Sequence, residues 1–441
     1  MTDLKKELTL YGLTMVAIGS CIGSGIFRTP TEIAGHLPSQ TLILVVWALG
    51  GVIALTGALT FAELGSMFPR AGGVYVYLKE AYGDLAGFLY GWAYLTVINS
   101  GALAALSLTF TAYLAYLFPA IKPIETAVAV SAIVVITLIN LFRVKIAEMF
   151  TNIFTGLKLL GIGSIVLIGC FWGSAGGGEG AESILGSSGD GLTRGFGLAL
   201  VGVFWSYGGW QHASYLAGET RRAHLTVPRA MVMGALVVTL AYILANLGFM
   251  MLLPVEDIAA SESPAADAID TVLPHGGNFI AVLIAVSTFG TALIYMMSAP
   301  RIYFAMARDG LFFRKIAVIH PRFHTPVNAV LLQSTWAIVL LLFWGTFEAV
   351  ITYVTFTDWI FFTAAACAVI LFRFTRKEAE RPYRTFGYPV TPLIFIVVSL
   401  LFVGNTLVEK PGQAGAGLGL LAAGMPVYLF FRLRAHRDIT P

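Results

Sequence analysis

Long apolar stretches separated by short charged segments run through the chain from end to end. About 20 apolar residues in a helix cross the roughly 30 Å hydrocarbon core of a bilayer. On that scale the pattern predicts about twelve spans, at roughly 10–37, 40–66, 84–117, 124–142, 150–172, 194–217, 228–253, 277–306, 327–345, 349–372, 389–408 and 414–433. The third and eighth exceed what a bilayer needs and are expected to tilt. The expectation is an all-α integral membrane protein.

Two of these stretches are interrupted. The first holds Ile22-Gly23-Ser24-Gly25-Ile26-Phe27, and the sixth holds Tyr207-Gly208-Gly209. Glycine weakens a helix where lipid demands unbroken backbone hydrogen bonding. Each cluster alone is equally consistent with close helix packing. Together they fall in register: if spans one to five form one unit and six to ten another, the breaks are equivalent. Five is odd, so the second unit is inverted relative to the first. This divides the chain into 1–173, 174–376 and 377–441, the last holding spans eleven and twelve and a C-terminal tail. In such inverted repeats the substrate binds near the midplane, at the broken helices.

Composition agrees with lipid as the main solvent. Hydrophobic residues are 57% of the 441 and charged ones 12%, against about a quarter charged in soluble domains. A net charge of +3 is too small to argue for nucleic acid. The basic residues cluster in alternate loops: Lys5, Lys6, Arg70, Lys79, Arg143, Lys145, Arg221, Arg222, the run from Arg301 to Arg322, and Arg373 to Arg384. The opposite loops are acidic, with Glu179, Glu182, Asp190, Glu256, Asp257 and Asp270. The asymmetry predicts cytoplasmic termini in the cell (inner) membrane. The segment after Lys5 and Lys6 is too long for a signal peptide and reads as a retained span. Cys21, Cys170 and Cys367 lie in apolar runs and read as small buried hydrophobes, without disulfide or metal spacing. The histidines scatter, and neither cofactor nor metal is expected.

The breaks carry the chemistry. A helix restarting inside the membrane has unpaired N–H groups and a positive dipole end. Gly23, Ser24 and Gly25 would offer these to a small carboxylate. At the second break the carbonyls of Trp205, Ser206 and Gly208 would lose their helical partners and suit an ammonium group. A solute with both charges on adjacent atoms is an α-amino acid.

These motifs resemble the amino acid–polyamine–organocation superfamily. Gly23-Ser24-Gly25-Ile26-Phe27 is similar to its first-helix signature. Ala62-Glu63-Leu64-Gly65-Ser66-Met67-Phe68-Pro69-Arg70-Ala71-Gly72-Gly73 is similar to its second helix and following loop, and Phe204-Trp205-Ser206-Tyr207-Gly208-Gly209-Trp210 to its sixth. Arg381-Pro382-Tyr383-Arg384 with Gly387-Tyr388-Pro389 resembles the loop before helix eleven in bacterial relatives of the L-type amino acid transporters. The resemblance spans nearly the whole chain. It implies the LeuT fold and alternating access, substrate contacts at Cys21, Gly23, Ser24 and Gly25, and Trp205 as an aromatic gate.

Other polar residues sit inside spans. Lys158 is deep in the fifth, where it either snorkels to the nearer end or holds a buried role. The resemblance implies the second: its ammonium takes the place of the sodium of coupled relatives, bridging a first-helix carbonyl such as Gly19 to an eighth-helix hydroxyl such as Ser287. Alternatively it couples transport to protons. Asp358 in the tenth span is either functional or a packed, hydrogen-bonded aspartate; its facing is open. Glu63 is expected to make a structural or gating contact, and Glu219 to pair with Arg221 or Arg222. His212 follows the second break, packed and neutral or facing the pocket.

The reading is a sodium-independent amino acid transporter, exchanging neutral L-amino acids because no acid other than Asp358 lies near the breaks. A proton-coupled symporter and a membrane sensor are the alternatives. A membrane enzyme would show a His, Asp or Ser cluster within the spans, and the sequence has none. The substrate amino acid and the bilayer are the expected partners; an accessory subunit is left open.

Overall fold

Short polar side chains start the first two spans. The Thr9 hydroxyl accepts the Gly12 N–H at 3.2 Å, and Ser39 accepts that of Leu42 at 3.2 Å. The computed structural model describes residues 4–37, 39–173, 189–261, 263–343 and 347–437.

The first span is two helices, Leu10–Cys21 and Gly25–His36. The second is Gln40–Met67, followed by a short helix, Val74–Tyr82. The third runs Asp84–Ala93, through a π turn at Tyr94–Ile98, and on as Asn99–Leu117. The fourth and fifth are Glu125–Leu141 and Val144–Trp172. The sixth is Gly189–Tyr207, then a short turn of helix at His212–Tyr215. The seventh is Ala223–Leu252. The eighth is Gly276–Ser298, continued by Pro300–Arg308. The remainder are Val327–Phe343, Phe347–Thr375, Val390–Glu409 and Pro411–Arg437.

Ten helical segments among the described residues are long and apolar enough to cross a membrane. The ninth span is a shorter apolar helix, and the sixth stops at Tyr207. The excess length of the eighth is a separate helix starting at Pro300, where the missing N–H costs nothing. Residues 174–188, which include Glu179 and Glu182, lie outside the described set, as does Glu262.

The first span is the centre of the bundle. In its most apolar window 89% of residues are buried, against 33% in the fifth and 28% in the twelfth. It packs on the fifth, seventh and eighth spans. The outer spans show apolar side chains to the surroundings, which corrects one expectation: Cys170 is exposed and Cys367 half-buried, while Cys21 is buried. In a membrane protein an apolar run does not distinguish interior from lipid face.

Candidate functional site

The first span breaks where expected. Its first helix ends at Cys21, and Ile22 leaves the helical region at ψ 83. The second starts at Gly25, and the Ser24 side chain does not cap it. The Ser24 hydroxyl is buried without a partner among the described residues. The freed carbonyls are taken: Ile22 and Gly23 each accept from the Ser287 hydroxyl at 3.2 Å, and Ile22 is also reached by Lys158 and Thr291. The N–H groups of Ser24, Gly25 and Ile26 have no acceptor among the described residues. The break therefore consumes its acceptors and leaves its donors, on the positive end of a helix.

The second break lies against the first. Gly209 has φ +131, and a Cβ there would lie 2.6 Å from the backbone carbonyl of Ser20. Gly25 faces Ser206 with equally little room, 2.6 Å to its hydroxyl. Both contacts need glycine. The acceptors expected here are mostly engaged. The Trp205 carbonyl takes the Gly208 N–H at 3.2 Å, and that of Ser206 takes the Tyr242 hydroxyl at 2.9 Å. Only the Gly208 carbonyl is without a donor among the described residues. The Tyr207 side chain turns away, donating to the Trp47 carbonyl at 2.9 Å, and Ser206 donates to Gly202 at 2.9 Å.

Tyr242, which the sequence reading passes over, joins the breaks. Its hydroxyl reaches the Cys21 carbonyl at 2.7 Å as well as that of Ser206. A lone tyrosine in the middle of an apolar span was the available signal. Replacing it with phenylalanine removes one buried hydrogen bond, about 1 kcal/mol. Transport is expected to slow about fivefold with folding intact, read by proteoliposome flux and size-exclusion profile.

Beside the second break is a small cavity of about 30 Å³. Its wall comes from the third span (Tyr94, Ile98, Asn99, Ala102), the sixth (Phe204, Trp205, Gly208, Gly209, Gln211, His212), the eighth (Tyr295) and the tenth (Val354, Thr355, Asp358, Trp359, Phe362). Trp205 and Asp358 thus face one space, whereas Cys21, Gly23, Ser24, Gly25, Ser206 and Tyr207 are buried behind its wall. His212 is both packed and facing it. Its Nδ1 meets the Ser298 hydroxyl at 2.6 Å, its Nε2 the Tyr94 hydroxyl at 3.2 Å, and its ring stacks on Tyr295 at 4.3 Å.

Lys158 does not snorkel; it is fully buried. Its ammonium donates to the carbonyls of Gly19 at 2.8 Å and Ile22 at 2.7 Å, and to the Thr291 hydroxyl at 2.6 Å. Three donors meet three acceptors. The expected Gly19 contact is present, but the eighth-span hydroxyl is Thr291, one turn beyond Ser287. Ser287 instead serves the carbonyls of Ile22 and Gly23. Residues four apart share a helix face, so Thr291 presents its hydroxyl on the same side as Ser287.

The arginine-rich end of the bundle is tied by two buried carboxylates. Glu219 pairs with Arg301, at 2.7 and 2.9 Å, and not with Arg221 or Arg222. Both partners are 1% exposed. The Glu219 carbonyl also accepts the N–H of Leu8, whose strand-like bridge to Thr220 is the only β pairing among the described residues. Arg221 cannot reach, because its backbone is held to Leu8 and its guanidinium to the Lys6 carbonyl. Glu63 accepts from Arg373 at 2.7 Å and from the Thr385 N–H at 2.8 Å, with Arg381 at 3.2 Å. It anchors the loop between the tenth and eleventh spans to the second. Outside the spans, burial raises the Glu80 carboxyl, but Arg70 and Arg376 outweigh it and hold it below the ordinary carboxylate range.

Comparison with known proteins places this geometry. A family model described as amino acid permease matches residues 8–431. The chain is 32% identical over 437 residues to the serine/threonine exchanger of Bacillus subtilis (strain 168), covering 98% of both chains. It is 31% identical over 422 residues to human b(0,+)-type amino acid transporter 1, covering 93% of this chain and 84% of the relative. With human large neutral amino acids transporter small subunit 2 the identity is 31% over 438 residues, covering 96% and 80%. Ten long apolar helical segments and a shorter one among the described residues, with two broken spans touching at their breaks, thus belong to a multi-pass transporter and not an enzyme, and the chain is a member of the amino acid permease family.

Proposed function

We propose that the protein exchanges amino acids across the cell membrane by alternating access, without sodium. The carrying observation is the asymmetry of the paired breaks. The first helix restarts with three N–H groups that have no acceptor among the described residues, which suits a carboxylate, and the Gly208 carbonyl beside the cavity suits an ammonium. The substrate would sit between them, with Trp205 closing over it. Cys21, Ser206 and Tyr207 then shape the breaks through their backbone and packing. Lys158 supports the sodium-independent reading, since a fixed ammonium already satisfies Gly19 and Ile22 where a cation would otherwise be needed. The relatives named for exchange and for amino acid transport agree with it.

The same reading takes 1–173 and 174–376 as the inverted units and the arginine-rich ends as cytoplasmic. The Glu219–Arg301 pair then latches the inner side, and opening inward requires breaking it. Removing one partner of such a buried pair costs about 3–5 kcal/mol, because the other charge is left buried alone. The test is uptake of labelled amino acids into proteoliposomes. Uptake is expected only when the lumen holds unlabelled amino acid, at the same rate with sodium or choline outside. Uptake into empty vesicles driven by a sodium or proton gradient would overturn it.

A further inference from the structure

The cavity wall is chemically lopsided. Most of its polar groups are already engaged. Both His212 nitrogens have hydroxyl partners, Gln211 accepts the Gly209 N–H at 2.9 Å, and the Tyr94 hydroxyl is shared between His212 and Tyr215. Besides the Gly208 carbonyl, two side-chain acceptors are left over among the described residues. Asn99 is 1% exposed; its amide nitrogen donates to the Tyr295 carbonyl at 3.4 Å, and its Oδ1 is buried without a donor. Asp358 Oδ1 is likewise sealed without a donor, and the residue makes no ion pair among the described residues. The two lie on different spans, the third and the tenth, and line the same space. Asn99 follows directly on the π turn at Tyr94–Ile98, a distortion that recurs at functional positions.

We propose that Asn99 and Asp358 receive the side chain of the substrate, and that the transported class is amino acids whose side chains end in hydrogen-bond donors, either a hydroxyl or a cationic nitrogen. This rests on the exchange reading above and deepens it. The broken helices supply main-chain groups for the α-carboxylate and α-ammonium, common to all amino acids. The leftover oxygens stand on other spans, among Ile98, Ala102, Val354 and Trp359. An aliphatic side chain would fill that space and leave both oxygens buried without donors. An acidic one would set a second carboxylate beside Asp358. A cationic nitrogen, with several N–H groups, can donate to both, and a hydroxyl, with one O–H, to one of them. The expectation of neutral substrates therefore narrows on the hydroxyl side and opens on the cationic side.

The test compares near-isosteric pairs in full-length protein reconstituted in proteoliposomes: labelled threonine against valine, and labelled lysine against norleucine. At least one donor-bearing partner is expected to exceed its isostere by tenfold or more in exchange rate at low concentration. The pair that does so tells hydroxyl from cation. Asp358→Asn keeps the shape and is expected to bring that ratio toward one; Asn99→Ala provides a second variant that acts in the same direction. Ratios near one in the wild type overturn the inference while leaving exchange standing. So does an Asp358→Asn variant that slows both members of a pair equally, since the carboxylate would then hold the shared ammonium. A wild-type protein that exchanges none of the four overturns the exchange reading and this inference with it.

Discussion

Replacing Lys158 with methionine is expected to lower exchange about a hundredfold or more while the protein still inserts and elutes as a folded species. Methionine keeps most of the volume and removes the charge, so the loss reports on hydrogen bonding and not on a cavity. The ammonium makes three bonds of 2.6 to 2.8 Å, two of them to carbonyls that the first break has stripped of helical donors. Hydrogen bonds to charged groups contribute about 1.5–3 kcal/mol each. The Thr291 and Ser287 hydroxyls already reach the same carbonyls and recover part of the loss. A net deficit of about 3 kcal/mol remains, and each 1.4 kcal/mol is a factor of ten. The deficit falls on the hinge that must hold its broken shape in every state of the cycle. Wild-type flux in Lys158→Met vesicles would remove the lysine from the mechanism.

Gly209→Ala is expected to be the most disruptive single-atom-scale change in the protein. The position has φ +131, and its added carbon would sit 2.6 Å from the Ser20 carbonyl and 2.7 Å from the Cys21 N. The clash is with backbone, which cannot rotate away as a side chain can. Strained backbone of this kind costs about 1–3 kcal/mol before any steric term. The two breaks would be pushed apart where the Ser20 hydroxyl donates to the Gly209 carbonyl at 2.8 Å. Expected outcomes are a thermal midpoint lowered by several degrees and undetectable exchange. Gly35→Ala is the control: nothing lies within 4 Å of its added carbon, and it is expected to behave as wild type. Equal melting of the two variants would show that the breaks do not depend on this contact.

The same comparison shows what could be read early. Gly209 was visible as a break residue because Tyr207-Gly208-Gly209 falls in register with Gly23-Ser24-Gly25 in the other half of the chain. Its contact with Ser20 was not visible, because 189 residues separate the two. Lys158 stands out by rarity, and Gly19 and Ser287 followed from the resemblance, yet the hydroxyl that meets the ammonium is Thr291, since that depends on how far the eighth span slides along the first. Glu219 found Arg301 and not its sequence neighbours, since the chain there turns back to pair with Leu8.

The amino-acid order by itself determined the spans, the positions of both interruptions, the charge asymmetry of the loops and the family, because these rest on local hydropathy and on motifs a few residues long. Only the folded bundle decided which way each span is turned. Its helices are apolar on all sides, so no polar face fixes their rotation, and the facing of Asp358, Asn99, Tyr242 and Arg301 comes from packing between segments distant in the chain.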